Sequence, residues 1–240
     1  DPDDVARMNE IANDLGVDSI ELGATIAVLM DAGKGGFGDV SFMKEVTSEM
    51  MAGSEIGKFY ASGTARVGEN LNFKRVPVIK KQAISAYDPR LIEVTGISMM
   101  VTAQGADHTV GNNATFKCDD KNIEELVAES LRMQINAAVA DSLGLCVFGR
   151  SVTDDNLELI SNAINDAFDA GVTPDFIRNI GLETLRLEAA FNNAAGFGEE
   201  DDELPSFFLD EPLPPTDKMA RLRSSEVNAA MQNLLDAHSG

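Results

Sequence analysis

Residues 19–32, Ser-Ile-Glu-Leu-Gly-Ala-Thr-Ile-Ala-Val-Leu-Met-Asp-Ala, constrain the fold more than any other stretch. They are apolar almost all round at helical spacing, so the segment reads as a helix buried on every face. Such a helix needs packing partners on all sides, and the rest of the chain offers helices. Residues 5–15 end at Gly16 and 19–32 end at Gly33, and glycine accepts the left-handed backbone that closes a helix. Further helices are expected at 42–52 behind a Ser41 cap, at 55–66, 92–102, 121–142, 154–170, 174–193 and 216–237. In the longest, Leu126, Ser130, Met133, Ala137 and Ala140 share one face. Asp154 and Thr173 are expected caps, and Pro174 suits a first helical turn. Only 71–86 loses the helical period, with Val76-Pro77-Val78-Ile79 and Gln82-Ala83-Ile84-Ser85 reading as extended chain or a short strand pair. The expected class is mainly α with little strand, with a domain boundary near residue 80.

Charge narrows the partners. Of the 240 residues, 19 are Lys or Arg and 40 are Asp or Glu, giving a net charge of −21. Phosphate contact needs clustered cations, so a nucleic acid or an anionic membrane surface is not expected. No apolar run reaches the roughly 18 residues of a membrane span. Two cysteines, Cys118 and Cys146, cannot build a disulfide framework, and the expectation is a cytoplasmic protein with free thiols. The opening Asp1-Pro2-Asp3-Asp4 lacks a Met and leads almost directly into helix, which suggests a piece of something longer.

One turn occurs twice. Asn13-Asp14-Leu15-Gly16-Val17-Asp18 and Asp141-Ser142-Leu143-Gly144-Leu145-Cys146 share the form Asx-x-Leu-Gly-aliphatic-(Asp or Cys). Either copy alone reads as an ordinary glycine C-cap. As a pair they suggest more, because a carboxylate at a helix C-terminus faces partial negative charge and calls for hydrogen-bond donors. A donor-rich ring edge, such as a pterin's, gives a carboxylate two parallel N–H bonds. Two such turns would then cradle two rings. His108 stands between Gly105 and Gly111, which permit close approach to a ligand, and imidazole titrates near neutrality. His238 reads as a C-terminal tail residue. In Tyr87-Asp88-Pro89-Arg90 an internal Asp–Arg pair in a tight turn competes with an anion-binding role for Arg90. Lys34 precedes the glycines at 35–38 without a Gly-Lys-Ser/Thr, which excludes a phosphate loop. The acidic run at 199–203, with prolines at 205, 212, 214 and 215, reads as a solvated surface loop.

These residues resemble the tungsten-containing aldehyde:ferredoxin oxidoreductase family. Asp141-Ser142-Leu143-Gly144-Leu145-Cys146 matches its Asp-x-x-Gly-Leu-Cys pterin signature, and the first copy departs at Asn13 and Val17. Ala86-Tyr87-Asp88-Pro89-Arg90, Gly105-Ala106-Asp107-His108, Phe191-Asn192 with Gly196-Phe197, and Asp201-Asp202-Glu203-Leu204-Pro205 are similar to its segments in the same order. Gln104 and Leu91 depart from its usual Arg and Gly.

The resemblance implies two helical domains of the aldehyde ferredoxin oxidoreductase type: the remainder of the second domain at 1–80 and the third at 81–240. The resemblance also implies that the family's N-terminal pterin-binding β domain is absent from these residues. It implies a tungsten bis-pterin of the molybdopterin type, with the metal held by pterin sulfurs, and a [4Fe–4S] cluster passing electrons to ferredoxin. Asn13, Asp18, Asp141 and Leu145 would bind pterin, Cys146 would ligate iron, and His108 would assist proton transfer. The family's catalytic Glu falls before residue 1. The expected activity is oxidation of a small aldehyde to a carboxylic acid, with this piece alone inactive and free of cofactor. A homodimer is compatible with the pattern. The alternatives are a relative that reduces a carboxylic acid or aromatic thioester, and a cofactor-free helical interaction module.

Overall fold

A computed structural model describes residues 1–237, so His238 lies outside the described residues. The chain is mainly helical, as expected. Helix α1 (Pro2–Leu15) is capped by Asp1 and closed by Gly16 in the left-handed conformation. Helix α2 (Ser19–Asp31) is the expected buried one, with Leu22, Ile26, Val28, Leu29 and Met30 all out of solvent. It packs with α1 and with α5 (Thr64–Asn70), and α3 (Val40–Ala52) packs on α1 and α4 (Glu55–Tyr60). Asp39, not Ser41, caps α3, its carboxylate accepting from the Phe42 amide at 3.1 Å. The single helix expected at 55–66 is two, because Gly63 at φ 94° breaks the path. Without a side-chain cap of its own, α5 borrows one: the Glu21 carboxylate accepts from the Thr64 amide at 2.6 Å and from the Ala83 amide at 2.9 Å.

The extended stretch is a minimal hairpin. Strands β1 (Val78–Ile79) and β2 (Gln82–Ala83) pair antiparallel, Val78 opposite Ala83 and Ile79 opposite Gln82. Lys80 and Lys81 form the turn, both at positive φ (48° and 65°), a conformation that side-chain-bearing residues rarely hold. Lys80 is held there by what its ammonium reaches. It donates to the Met100 carbonyl at 2.6 Å and pairs with Asp202, with only 5% of its side chain exposed.

The second half is built round α7 (Ile123–Ser142), which opens on a reciprocal Asn122–Glu125 cap. Around it pack α6 (Glu93–Val101), α10 (Pro174–Ala195) and α12 (Ser224–Ala237). Ile97, Met99, Met100, Leu126, Leu131, Leu182, Leu222 and Val227 fill the core between them. A smaller cluster of Val139, Ile160 and Ile177 joins α7 to α9 (Leu157–Phe168) and α10. Between α7 and α9 lies the four-residue α8 (Arg150–Thr153), and α11 (Ser206–Asp210) follows the acidic run. Thr173 caps α10 as expected. Asp154 does not cap α9, because its carboxylate is taken by Arg150 at 3.2 Å. The last helix begins at Ser224 rather than 216. Residues 216–223 are drawn across the domain instead, with Ala220 bonded to the Phe208 carbonyl and Arg221 paired to buried Glu93 at 2.7 and 2.8 Å.

The acidic run is a further correction. Asp202 is buried, pairs with Lys80 and accepts from Asn228 at 2.9 Å. Glu203 accepts from the Ser224 amide and hydroxyl, and Leu204 is core. The run is a latch with its first residues in water, because Asp202 and Glu203 find donors inside and Leu204 joins the core. Replacing Lys80 by Met leaves a buried carboxylate without its cation. The expected loss is about 3–5 kcal/mol, measured as the fall in urea unfolding free energy, with Asp202→Asn in the same chain restoring part of it.

Candidate functional site

The two glycine turns are alike in backbone and unlike in electrostatics. Gly16 and Gly144 both sit at φ 68°. Beyond Gly16, however, Asp18 is the N-cap of α2, and its carboxylate accepts from the Glu21 amide at 2.8 Å. The link between α1 and α2 is so short that the residue after one helix's end serves the next helix's start. Asp18 therefore meets the favourable end of a dipole, and the argument from a misplaced charge fails there. Asn13 lies exposed on the last turn of α1.

Asp141 keeps the unfavourable position. It is exposed in the last turn of α7, and its carboxylate has no hydrogen-bond or ion-pair partner among the described residues. Leu145 turns back into the cluster of Val139, Ile160 and Ile177 and so fixes the turn from below. Cys146 is exposed, a free thiol, and the residues after it are bare as well, Phe148 at 94%. Asp141, Leu145 and Cys146 thus share one turn, with two polar groups outward and one apolar group inward.

His108 sits on the loop between α6 and α7, half-buried, its ring 5.1 Å from that of Tyr87. The flanking glycines permit close approach, but to the protein itself. A Cβ on Gly105 would lie 2.6 Å from the Lys80 Cβ, and one on Gly111 would lie 2.0 Å from the Ser98 Oγ. They press the loop onto the hairpin and α6. Asp107 is held by the Thr109 amide and hydroxyl, both at 2.7 Å. Arg150 then bridges two parts of the region, donating to the Thr109 carbonyl at 3.4 Å and the Met133 carbonyl at 3.3 Å while paired to Asp154. From α7, Glu129 accepts from Asn113 at 2.6 Å, and Arg132 pairs with both Glu129 and Asp155. One helix therefore carries the His108 loop and the segment after Cys146.

Sequence reasoning passed over Glu188. Its carboxyl is pushed up from the usual range by desolvation at a cavity rim, then by the like charges of Asp141 and Asp107. The available signal was an acidic residue in register with the inward Leu182, Leu185 and Asn192 of α10. Arg90 is settled as structural. Its side chain bonds Asp88 at 2.7 and 2.9 Å and the Glu211 carbonyl at 2.9 Å, which leaves no anion-binding role.

Two tests of cofactor fit follow from the donor sets. A [4Fe–4S] cluster takes four thiolates, and the chain presents one, since Cys118 is buried and directed to the Phe116 carbonyl. Cys146 fits as a single ligand of a set completed elsewhere. Among the described residues no group of three or more His, Cys, Asp or Glu side chains is placed to hold a metal ion. The unpaired Asp141 carboxylate fits a donor-rich ring edge. Among the described residues no helix is long and apolar enough to cross a membrane.

Raised in the native state, Glu188 holds its proton more tightly than in the unfolded chain. Its contribution to stability is present below the usual carboxylate range and lost as pH rises through the raised native value. Asp141→Asn should lower the Glu188 pKa toward the ordinary value and shrink that loss, measured by carbon-detected NMR titration of the Glu188 carboxyl. An unmoved titration would disprove the coupling.

The family described as aldehyde ferredoxin oxidoreductase, domains 2 and 3, matches residues 1–237. The chain is similar to the tungsten-containing aldehyde ferredoxin oxidoreductase of Pyrococcus horikoshii, 27% identical over 88% of this chain and 39% of that protein. The proteins of the same description from Pyrococcus furiosus and Thermococcus kodakarensis are each 25% identical over 88% of this chain and 38% of their own length. The chain thus spans well under half the length of these relatives.

Proposed function

The chain belongs to the aldehyde ferredoxin oxidoreductase family, and from that membership we propose that it forms the helical part of a tungsten and pterin enzyme oxidising small aldehydes to carboxylic acids. The division into a second-domain part at 1–80 and a third domain at 81–240 belongs to the same proposal, as do ferredoxin as electron acceptor and a cytoplasmic setting. The observation that carries it is the turn after α7. There an unpaired carboxylate and an exposed thiol, Asp141 and Cys146, stand at the two ends of one turn on rigid backbone, neither explained by the protein's own packing.

When bound, the tungsten–pterin group would supply two-electron redox chemistry, and a [4Fe–4S] cluster would supply an outlet for the electrons. The chain's own residues do the rest. Asp141 accepts hydrogen bonds from one pterin edge, and that bond offsets its poor position at the helix end. Leu145, anchored below, keeps the turn from yielding when the ring is seated. Cys146 gives one thiolate to the cluster, and its exposure leaves it reachable by iron held by other segments. Asn13 and Asp18 are assigned to the other pterin by resemblance alone, since Asp18 already has a local hydrogen-bond donor. His108, held against Tyr87 on an anchored loop, moves a proton between substrate water and solvent.

The test is anaerobic reconstitution of the longest product of the gene with iron, sulfide, tungstate and the pterin. Aldehyde-dependent dye reduction is expected. Cys146→Ser should remove the cluster's visible absorption and most of its iron. His108→Asn should keep metal and cluster and lower kcat by about 10²–10⁴-fold. Normal iron content in Cys146→Ser, or an unchanged kcat in His108→Asn, refutes the corresponding role.

A further inference from the structure

The side chain of His108 has no hydrogen bond and no ion pair among the described residues, so neither ring nitrogen is tied to the protein. An imidazole that moves protons ordinarily has its tautomer and its aim set by a bond to one nitrogen. Here only the backbone is fixed. The Ala106 amide donates to the Met99 carbonyl at 2.9 Å, and Asp107 closes a turn by accepting from the Thr109 amide at 2.7 Å. A fixed backbone still leaves the two side-chain torsions of a histidine to be decided. What meets the ring is Tyr87, the centroids 5.1 Å apart and the planes inclined by 34°, within the range of attractive aromatic pairs. A face contact of this kind leaves the ring edge, where the nitrogens lie, uncovered.

Tyr87 belongs to the frame. It packs against the core of the second half, and its amide donates to the Ser85 carbonyl at 2.7 Å. The next three residues clamp it from the other side. The Arg90 guanidinium bonds Asp88 and the Glu211 carbonyl and lies 5.2 Å over the Phe208 ring. Pro89 sits so close to α6 that a Cβ on Gly96 would come within 2.9 Å of it. None of these contacts uses the phenol hydroxyl, which makes no hydrogen bond among the described residues. The Tyr87 ring is thus a fixed surface, and the His108 ring is a movable group resting on it.

We propose that Tyr87 is a positioning residue for His108: its ring sets the direction of the imidazole and leaves both nitrogens open for the proton they exchange. The Tyr87-Asp88-Pro89-Arg90 turn then has a use that needs no anion, since the Asp88–Arg90 pair holds the platform on which the imidazole rests. The catalytic consequence rests on the proton-transfer role proposed for His108, whereas the ring contact itself needs neither cofactor nor turnover.

Two measurements test it. In the chain carrying His238→Gln, His108 is the sole imidazole, and carbon relaxation of its ring reports side-chain order. The ring should be ordered with Tyr87 and with Tyr87→Phe. It should lose order on the ps–ns timescale in Tyr87→Leu while the amides of residues 105–111 keep theirs. In the loaded enzyme, Tyr87→Leu should lower kcat about 10–100-fold with KM little changed, and Tyr87→Phe should recover most of that loss. Added to His108→Asn, Tyr87→Leu should cost nothing further, because the two residues act as one unit. An equally ordered ring in Tyr87→Leu, a loss that adds in full to that of His108→Asn, or a Tyr87→Phe as damaging as Tyr87→Leu overturns the proposal. Should Tyr87→Leu disturb the 105–111 amides, Tyr87→Met is read in its place. Disturbed amides in both variants also overturn it, since Tyr87 would then support the loop and not the ring. Ring order lost in Tyr87→Leu together with an unchanged kcat in His108→Asn supports the positioning and refutes the proton-transfer role alone.

Discussion

The ammonium of Lys80 ties three separate parts of this molecule together. It pins a hairpin turn whose backbone disfavours a side chain, closes the end of α6 through the Met100 carbonyl, and neutralises a buried carboxylate at the start of the C-terminal latch. That carboxylate is also the anchor for Asn228 of α12. Gly105 is flattened against the same lysine, so the loop carrying His108 takes its height from the hairpin. Desolvating one cation and one carboxylate is unfavourable, and the pair persists because both ions have further polar neighbours. The geometry of the His108 loop and one wall of the cavity between α6, α7, α10 and α12 both descend from this contact.

A second constraint is α7. It is buried along most of its length and so cannot tilt without disturbing three neighbours. Its flank carries Glu129, Arg132 and Asn136, which tie down the loop before it and the segment after it, and its end carries Asp141. Groups far apart in sequence are thereby set on one rigid body, the condition under which a cofactor edge, a thiol and an imidazole keep fixed spacing.

What could be read from the residues was what local physics decides. The apolar helix at 19–31, the Thr173 cap, the glycine ends and the Asp88–Arg90 pair each depend on neighbours a few positions away. What could not be read was settled at long range. Nothing near the acidic run announces that Asp202 will meet a lysine 122 positions earlier. Lys-Lys is no turn signal, because its stability there comes from tertiary contacts. Asp18 was legible as a polar residue after a glycine but not as a cap, since that depends on how soon the next helix begins. In the candidate site, Asp141 and Cys146 stood out by pattern, whereas Glu188 became visible only once α10 was laid beside α7.

The hairpin also bears on where this polypeptide can be divided. The boundary expected between residues 80 and 81 falls between the two lysines of the turn. Cutting there would put the cation on one fragment and its carboxylate on the other, and would part Glu21 from the Ala83 amide it holds. Separately produced halves would each expose a polar orphan where the intact chain has a closed seam. Whatever evolutionary modules the two halves represent, they are chemically spliced, and recombination with another protein's half succeeds only if both sides of the seam travel together.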